Sequence, residues 1–248
     1  MEESITAIIP SYRRHENIPI IIDKLKKQTY PPKDIIVWND NSGKFGKNFT
    51  IDDPTIKVVN TNIDINTFGA YLIAYTSFTK YIAIIDDDMA PGPKWFEFCV
   101  KKQKETPGLY GAYGITFYTD GKGILRNHFE SKCDGGRLRE VDMIGTSYFF
   151  PYKSINYFLS ERPPFLPSIT DMHLCFTSQK YGSLKCYVVF PNEPEELPSY
   201  YNSELPYNHN ERAACKDDYH YSNRGKYFSW AAKKGWKFIK LGGYNDHK

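Results

Sequence analysis

The first half of the chain alternates between short apolar runs and stretches with helical spacing. Ile5 to Ile9 is an apolar run closed by Pro10, the pattern of a buried strand. From Asn17 to Gln28 the apolar positions Ile18, Ile21, Ile22 and Leu25 recur at helical spacing. Lys24, Lys26 and Lys27 fall in the last turns, where they complement the helix dipole. Pro31-Pro32 stops that helix. Strands are predicted at Asp34–Trp38, Ile56–Val59 and Tyr81–Ile85, and helices at Asn66–Thr79 and from Pro93 to about Lys104. This β-α-β-β-α-β-α order predicts a mostly parallel sheet flanked by helices.

The second half is less regular. Tyr110–Tyr118 alternates as one strand, Val141–Phe150 as another, and Trp236 to Ile239 as a last short one. Helices are expected at Thr170–Lys180 and Asn223–Lys234. The polar stretch Leu125–Arg139, with Gly135-Gly136, reads as a mobile loop able to close over a bound ligand. Pro191–Pro206, with four prolines and four acidic residues, reads as a second loop. No repeat or linker divides the chain. The expected organisation is one domain over 1–248, with a regular half at about 1–110 and a less regular half at about 111–248.

Composition narrows this picture only slightly. A length of 248 residues is enough for a large core, and the net charge of +3 is too small to point to nucleic acid as the main partner. The 20 tyrosines suit stacking on bases or sugar rings, and equally suit ordinary cores. The acidic start Met1-Glu2-Glu3 does not read as a secretory leader, and no apolar stretch reaches transmembrane length. Cys99, Cys133, Cys175, Cys186 and Cys215 are scattered, which points to free thiols and a cytoplasmic setting rather than a zinc or disulfide framework.

The candidate chemistry begins at Asp86-Asp87-Asp88, directly after the fourth predicted strand. Ligands of open parallel sheets bind at the carboxyl ends of strands. Strand alternation would place Asp86 and Asp88 on one side, where a divalent cation relieves their repulsion and seats a diphosphate. The plain alternative is a solvated acidic turn.

With these residues in view, the sequence resembles the GT-A glycosyltransferases, and glycosyltransferase family 2 in particular, over roughly residues 5 to 180. The resemblance is carried by Ile8-Ile9-Pro10-Ser11-Tyr12-Arg13, Asn39-Asp40-Asn41-Ser42, Asn66 with Gly69, Ile84-Ile85-Asp86-Asp87-Asp88 and Thr170-Asp171-Met172-His173-Leu174. It implies a GT-A, Rossmann-like α/β fold, with a nucleotide half at about 1–110 and an acceptor half at about 111–248, and an inverting, metal-assisted transfer from a nucleotide-diphospho-sugar to an acceptor hydroxyl. The acceptor would be a glycan or another hydroxyl compound. Pro10, Ser11 and Tyr12 would line the base pocket. Asp40 would accept a ring N–H such as uracil offers, favouring a UDP-sugar; its plain alternative is a turn former. Asn66 and Asp87 would also belong to the donor site, Asp86 would hold ribose or metal, and Asp88 would hold the Mn²⁺ or Mg²⁺ itself. His220 is the preferred late histidine for the metal, ahead of His209 and His247. Asp171 would be the general base, with Asp142 and Glu161 in reserve; its plain alternative is a helix cap.

The sequence departs from that pattern in places. Thr170-Asp171 stands where an acidic pair is usual, the arginine often found shortly after Gly69 is missing, and no Q-x-x-R-W is present. Among the basic residues Arg13 lies beside the first turn, while Lys44, Lys47, Arg137, Arg139 and Arg224 read as loop surface charge. Two rival readings share the fold: a sugar-phosphate nucleotidyltransferase, which needs a glycine-rich phosphate loop that Pro-Ser-Tyr-Arg-Arg does not supply, and a non-catalytic carbohydrate-binding or scaffold protein.

Overall fold

The computed structural model describes residues 3–40, 48–63, 65, 67–119, 124–165, 169–207 and 218–239. The predicted first half is present in order: β1 (Ile5–Ser11), α1 (Ile18–Lys26), β2 (Asp34–Asp40), β3 (Ile56–Thr61), α2 (Phe68–Ala74), β4 (Tyr81–Ile84) and α3 (Trp95–Glu105). β1 is buried along its whole length, as a central parallel strand covered on both faces must be. Pro19 lies in the first turn of α1, and Ile18, Ile21, Ile22 and Leu25 form the buried stripe read from the sequence. α2 is shorter than expected, and its exposed side carries Leu72, with Tyr75 and Phe78 exposed just beyond it.

The chain continues through β5 (Gly108–Gly111), β6 (Tyr113–Thr119), β7 (Ile124–Glu130), β8 (Arg137–Val141), β9 (Met143–Gly145), β10 (Tyr148–Pro151), α4 (Lys153–Leu159), α5 (Thr170–Gly182), β11 (Lys185–Phe190) and α6 (Asp218–Lys233). Eight strands form one sheet in the order β3-β2-β1-β4-β10-β5-β11-β8; β7-β6-β9 form a second, smaller sheet. In the large sheet only β10 and β8 run against the rest, so the mostly parallel α/β arrangement is as expected of a GT-A fold.

Four sequence expectations are corrected here. Tyr110–Tyr118 is not one strand. It breaks at Ala112, whose N–H donates to Thr146 O (3.1 Å) and whose carbonyl accepts from Ser131 N (2.7 Å), so the chain leaves one sheet for the other. Leu125–Arg139 is not a loop but mostly β7 and β8, joined by residues 131–136, which end in the turn at Gly135 (φ 66°) and Gly136 (φ 67°). That turn packs on Asn192 after β11, where a Cβ at Gly136 would lie 2.6 Å from the Asn192 amide oxygen, and this removes the basis for a lid. Val141–Phe150 divides among three strands. Finally, Trp236–Ile239 pairs with no strand among the described residues, and side chains supply its acceptors: Lys237 N donates to Gln179 Oε1 (2.8 Å) and Ile239 N to Asp142 Oδ1 (2.6 Å). The 191–206 segment is irregular as expected and holds two short 3-10 turns, Pro194–Glu196 and Asn202–Glu204.

Alternating side chains of the large sheet feed two cores. Ile5, Ala7, Ile9, Ile35 and Val37 pack with α1 and α3. Ile8, Ile36, Trp38, Ile82 and Ile84 pack with α2, α4, α5 and α6. The candidate site sits where β1, β2 and β4 end.

Candidate active site

β4 stops at Ile84, so strand alternation does not reach the aspartates. Met89 N donates to Asp86 O (2.9 Å), and the triplet is a tight turn. Asp87 and Asp88 therefore face the same partner instead of opposite sides. Arg14 Nη1 lies 2.5 Å from Asp87 Oδ1 and 3.2 Å from Asp88 Oδ2, and all three side chains are nearly excluded from solvent. The Tyr12 N–H donates to Asp87 Oδ2 (2.8 Å), and Asn17 Nδ2 donates to Asp87 O (2.7 Å). Asp87 thus ties the turn after β1 to the turn after β4.

Asp86 is the odd member. It keeps an opening to solvent, and no side chain among the described residues hydrogen-bonds or ion-pairs with its carboxylate. Withdrawal from water, and then the charges of Asp88 and Asp87, raise its pKa well above the carboxylate norm, with Arg14 opposing. Asp87 is raised to about 6, chiefly by burial, and held back by Arg14 and the Tyr12 N–H. An unpaired carboxylate beside two others is a place where a cation lowers the energy. Among the described residues, no group of three or more His, Cys, Asp or Glu side chains is arranged to hold a metal ion. Of the two acids expected to hold an ion, Asp86 has no side-chain partner among the described residues, whereas Asp88 is paired with Arg14.

The first turn holds the other donor-side candidates. Pro10 and Ser11 end β1, in register with Trp38 and Asn39. Ser11 Oγ is buried with no hydrogen-bond partner among the described residues. The Arg13 guanidinium lies over the Tyr12 ring, 4.3 Å from its centroid, so one face of that ring is covered. Arg13 has φ 67°, a left-handed conformation that costs a non-glycine residue about 1–2 kcal/mol. Asp40 is buried at the end of β2, opposite Thr61 of β3. Its neighbour Asn39 accepts from His15 Nε2 (2.8 Å) and donates to Asn60 Oδ1 (2.6 Å). Asn60 in turn grips the N–H and C=O of Phe49 (2.8 and 3.0 Å). This network fixes the ends of β2 and β3.

Asp171 opens α5 from the other half. Its Oδ1 accepts from Met172 N (2.8 Å), its Oδ2 accepts from Arg224 Nη2, and its charge is close enough to Asp86 to contribute to the rise in that pKa. Thr170, standing where an acid is usual, is bonded instead to Thr67 Oγ1 (2.8 Å) at the start of α2. The reserve acids are elsewhere engaged: Asp142 accepts from Phe117 N and Ile239 N, and Glu161 pairs with Lys180 and Lys234.

Asn66, His209, His247, Lys44 and Lys47 lie outside the described residues, as does the side chain of His220, whose backbone is in the first turn of α6. Sequence reasoning missed Arg14, His15 and Asn17, which are buried at the site. The only signal was adjacency to Arg13. It also read Arg224 as loop surface charge although the expected helix Asn223–Lys234 contains it; the residue sits on α6 beside Asp171.

Comparison with known proteins follows the same residues. The sequence profile of glycosyl transferase family 2 matches residues 6–173, more than half of the chain, from β1 to the first turn of α5. No curated protein matches. Among solved structures, the chain is similar to S. aureus TarS 1-349 at 11% identity and a TM-score of 0.48, over 77% of this chain and 61% of that one. This chain therefore spans less than two thirds of that structure's length.

Proposed function

The chain belongs to glycosyltransferase family 2, and from that premise we propose that it moves a sugar from a nucleoside-diphospho-sugar to an acceptor hydroxyl with inversion. The observation that supports this best is convergence. Asp40, the Asp86–Asp88 turn and Asp171 come from separate elements to one end of the sheet, and the Asp86 and Asp171 charges interact.

Asp40 accepts a ring N–H of the base, which favours uracil and a UDP-sugar. Pro10, Ser11 and Tyr12 line the base side, and Arg13 lies toward the diphosphate. Asp86 and Asp88 would hold a divalent cation, which when bound neutralises the leaving diphosphate. Asp171 takes the proton from the acceptor hydroxyl as its oxygen attacks the anomeric carbon from the face opposite the leaving group. The setting proposed is the cytoplasm. No helix among the described residues is long and apolar enough to cross a membrane.

The deciding experiment is a thermal-shift panel of UDP, GDP, dTDP and CMP, each with and without manganese. A rise with UDP that requires manganese is the expected result. A rise with another nucleotide alone would move the base assignment away from Asp40 and uracil. No rise with any of them would overturn the donor site.

A further inference from the structure

Arg224 lies 51 residues beyond the end of the family match, on α6, yet its guanidinium reaches the Asp171 carboxylate at the start of α5. Both carboxylate oxygens are then engaged, Oδ1 by the Met172 N–H and Oδ2 by Arg224. The pair is largely screened from water, with side-chain exposures of 21% for Arg224 and 16% for Asp171. A charge-assisted bond in that setting is stronger and more directional than a surface ion pair.

The guanidinium is placed by helix packing. Tyr227, three residues further along α6, is fully buried, and its hydroxyl donates to His173 Nδ1 (2.7 Å), two residues after Asp171. His173 Nε2–H is shared between the carbonyls of Phe158 and Glu161 (3.0 and 2.9 Å), which fixes the ring and its tautomer. Arg224 also lies 3.7 Å from Met143 Sδ of β9. α6 is thus locked to α5 one turn away from the carboxylate it contacts. Among the described residues, Asp171 also interacts electrostatically with Asp86, Tyr71, Tyr148 and Tyr227, none of which is a cation.

We propose that Arg224 is a positioning residue for the transfer step, holding one oxygen of Asp171 so that the remaining lone pairs of the carboxylate face the acceptor hydroxyl. This rests on the general-base reading of Asp171, and it makes α6 part of the catalytic unit.

The test is UDP release from UDP-glucose, UDP-galactose and UDP-N-acetylglucosamine by the full chain, with water as acceptor. Arg224→Ala, Arg224→Gln, Arg224→Lys, Asp171→Asn and the Arg224→Ala/Asp171→Asn double variant are compared, each checked for folding by circular dichroism. Arg224→Gln carries the test if the alanine variant does not fold. The expected result is a loss of about 10²-fold in kcat for Arg224→Ala with donor KM little changed, the scale of a misplaced catalytic group. Arg224→Lys should recover part of the loss, as should millimolar guanidinium added to Arg224→Ala. In the Asp171→Asn background the arginine substitution should have no further effect.

Independent, multiplying losses in the double variant, or parental kcat for Arg224→Ala and Arg224→Gln, would overturn this inference alone. Asp171→Asn at the parental rate, or no release by the parental protein with any donor, would overturn the general-base reading and this inference with it.

Discussion

Each member of the aspartate triplet has different company, and the difference predicts opposite responses to the same substitution. Asp86 carries a charge that its surroundings disfavour, whereas Asp87 is paired with Arg14 and accepts the Tyr12 N–H. Asp86→Asn should melt at or above the parental temperature in EDTA and lose any manganese-dependent nucleotide shift. Asp87→Asn should lower stability by about 1–3 kcal/mol, because it weakens a charge-assisted bond to a buried guanidinium and leaves Asp88 as its remaining carboxylate partner. Equal melting temperatures for the two variants in EDTA would count against this division. Two further buried groups titrate in opposite senses. Burial brings His173 down to about 4 from an ordinary 6.5, so its contribution to stability is complete above pH 6.5 and is lost as pH falls toward 4. Burial lifts Asp142 to about 6 from 3.8, so its contribution is complete below pH 3.8 and is lost as pH rises through 6. Each amounts to about 3 kcal/mol at its limit, and between pH 4 and 6 they oppose one another. Asp142→Asn keeps an acceptor oxygen but removes the carboxyl, so it should lose stability on acidification more steeply than the parent. Urea melts at pH 4.5 and 7 check this: a constant gap between the two proteins would rule out the Asp142 contribution.

α2 packs closely on β2 where Gly69 meets Trp38. A Cβ at Gly69 would lie 2.0 Å from the Trp38 ring, so the indole can approach the helix this closely only because that position has no side chain. Gly69→Ala must push either the ring or α2 aside. It should cost about 1–3 kcal/mol, typical of overpacking in a closed core, and disturb the neighbouring Thr67–Thr170 bond that joins the two halves. A urea melt and the Trp38 environment in near-UV circular dichroism measure this; unchanged values for both would show that α2 is free to shift. The same elements show what a sequence discloses. β1, β2 and β4 are buried parallel strands, continuous apolar runs that end abruptly in polar turns, so both they and Asp40 and Asp86–Asp88 at their ends were readable. β7 and β8 were not readable, because their side chains are largely exposed and carry no apolar alternation. α4 and β11 went unread. Arg14 and Arg224 look like any surface cation in sequence; what makes them site residues are partners 73 and 53 positions away.

For the molecule as a whole, the large sheet does not respect the division into a nucleotide half and an acceptor half. β10 (148–151) lies between β4 (81–84) and β5 (108–111), and β11 (185–190) continues the sheet beyond β5. One core runs from Ile8 to Trp236, and the other from Ile5 to Leu205. Removing the second half would strip β4 of its neighbour β10 and uncover α2, whose buried face holds Tyr71 stacked on Phe158 of α4 (4.4 Å between centroids). Neither half keeps a closed core alone, and the chain should therefore unfold in one cooperative step. Single-tryptophan variants retaining Trp38 or Trp236 would report from the two ends of the sequence, and their urea midpoints, each measured against circular dichroism of the same variant, should coincide. If Trp236 consistently reported an earlier midpoint than the loss of secondary structure, the C-terminal helix would be a separate unit resting on the sheet. Coincidence has a functional consequence as well. Asp86 and Asp171, on which the donor and acceptor sides are proposed to rest, would be held in register by one cooperative sheet, with no hinge between them to set their separation.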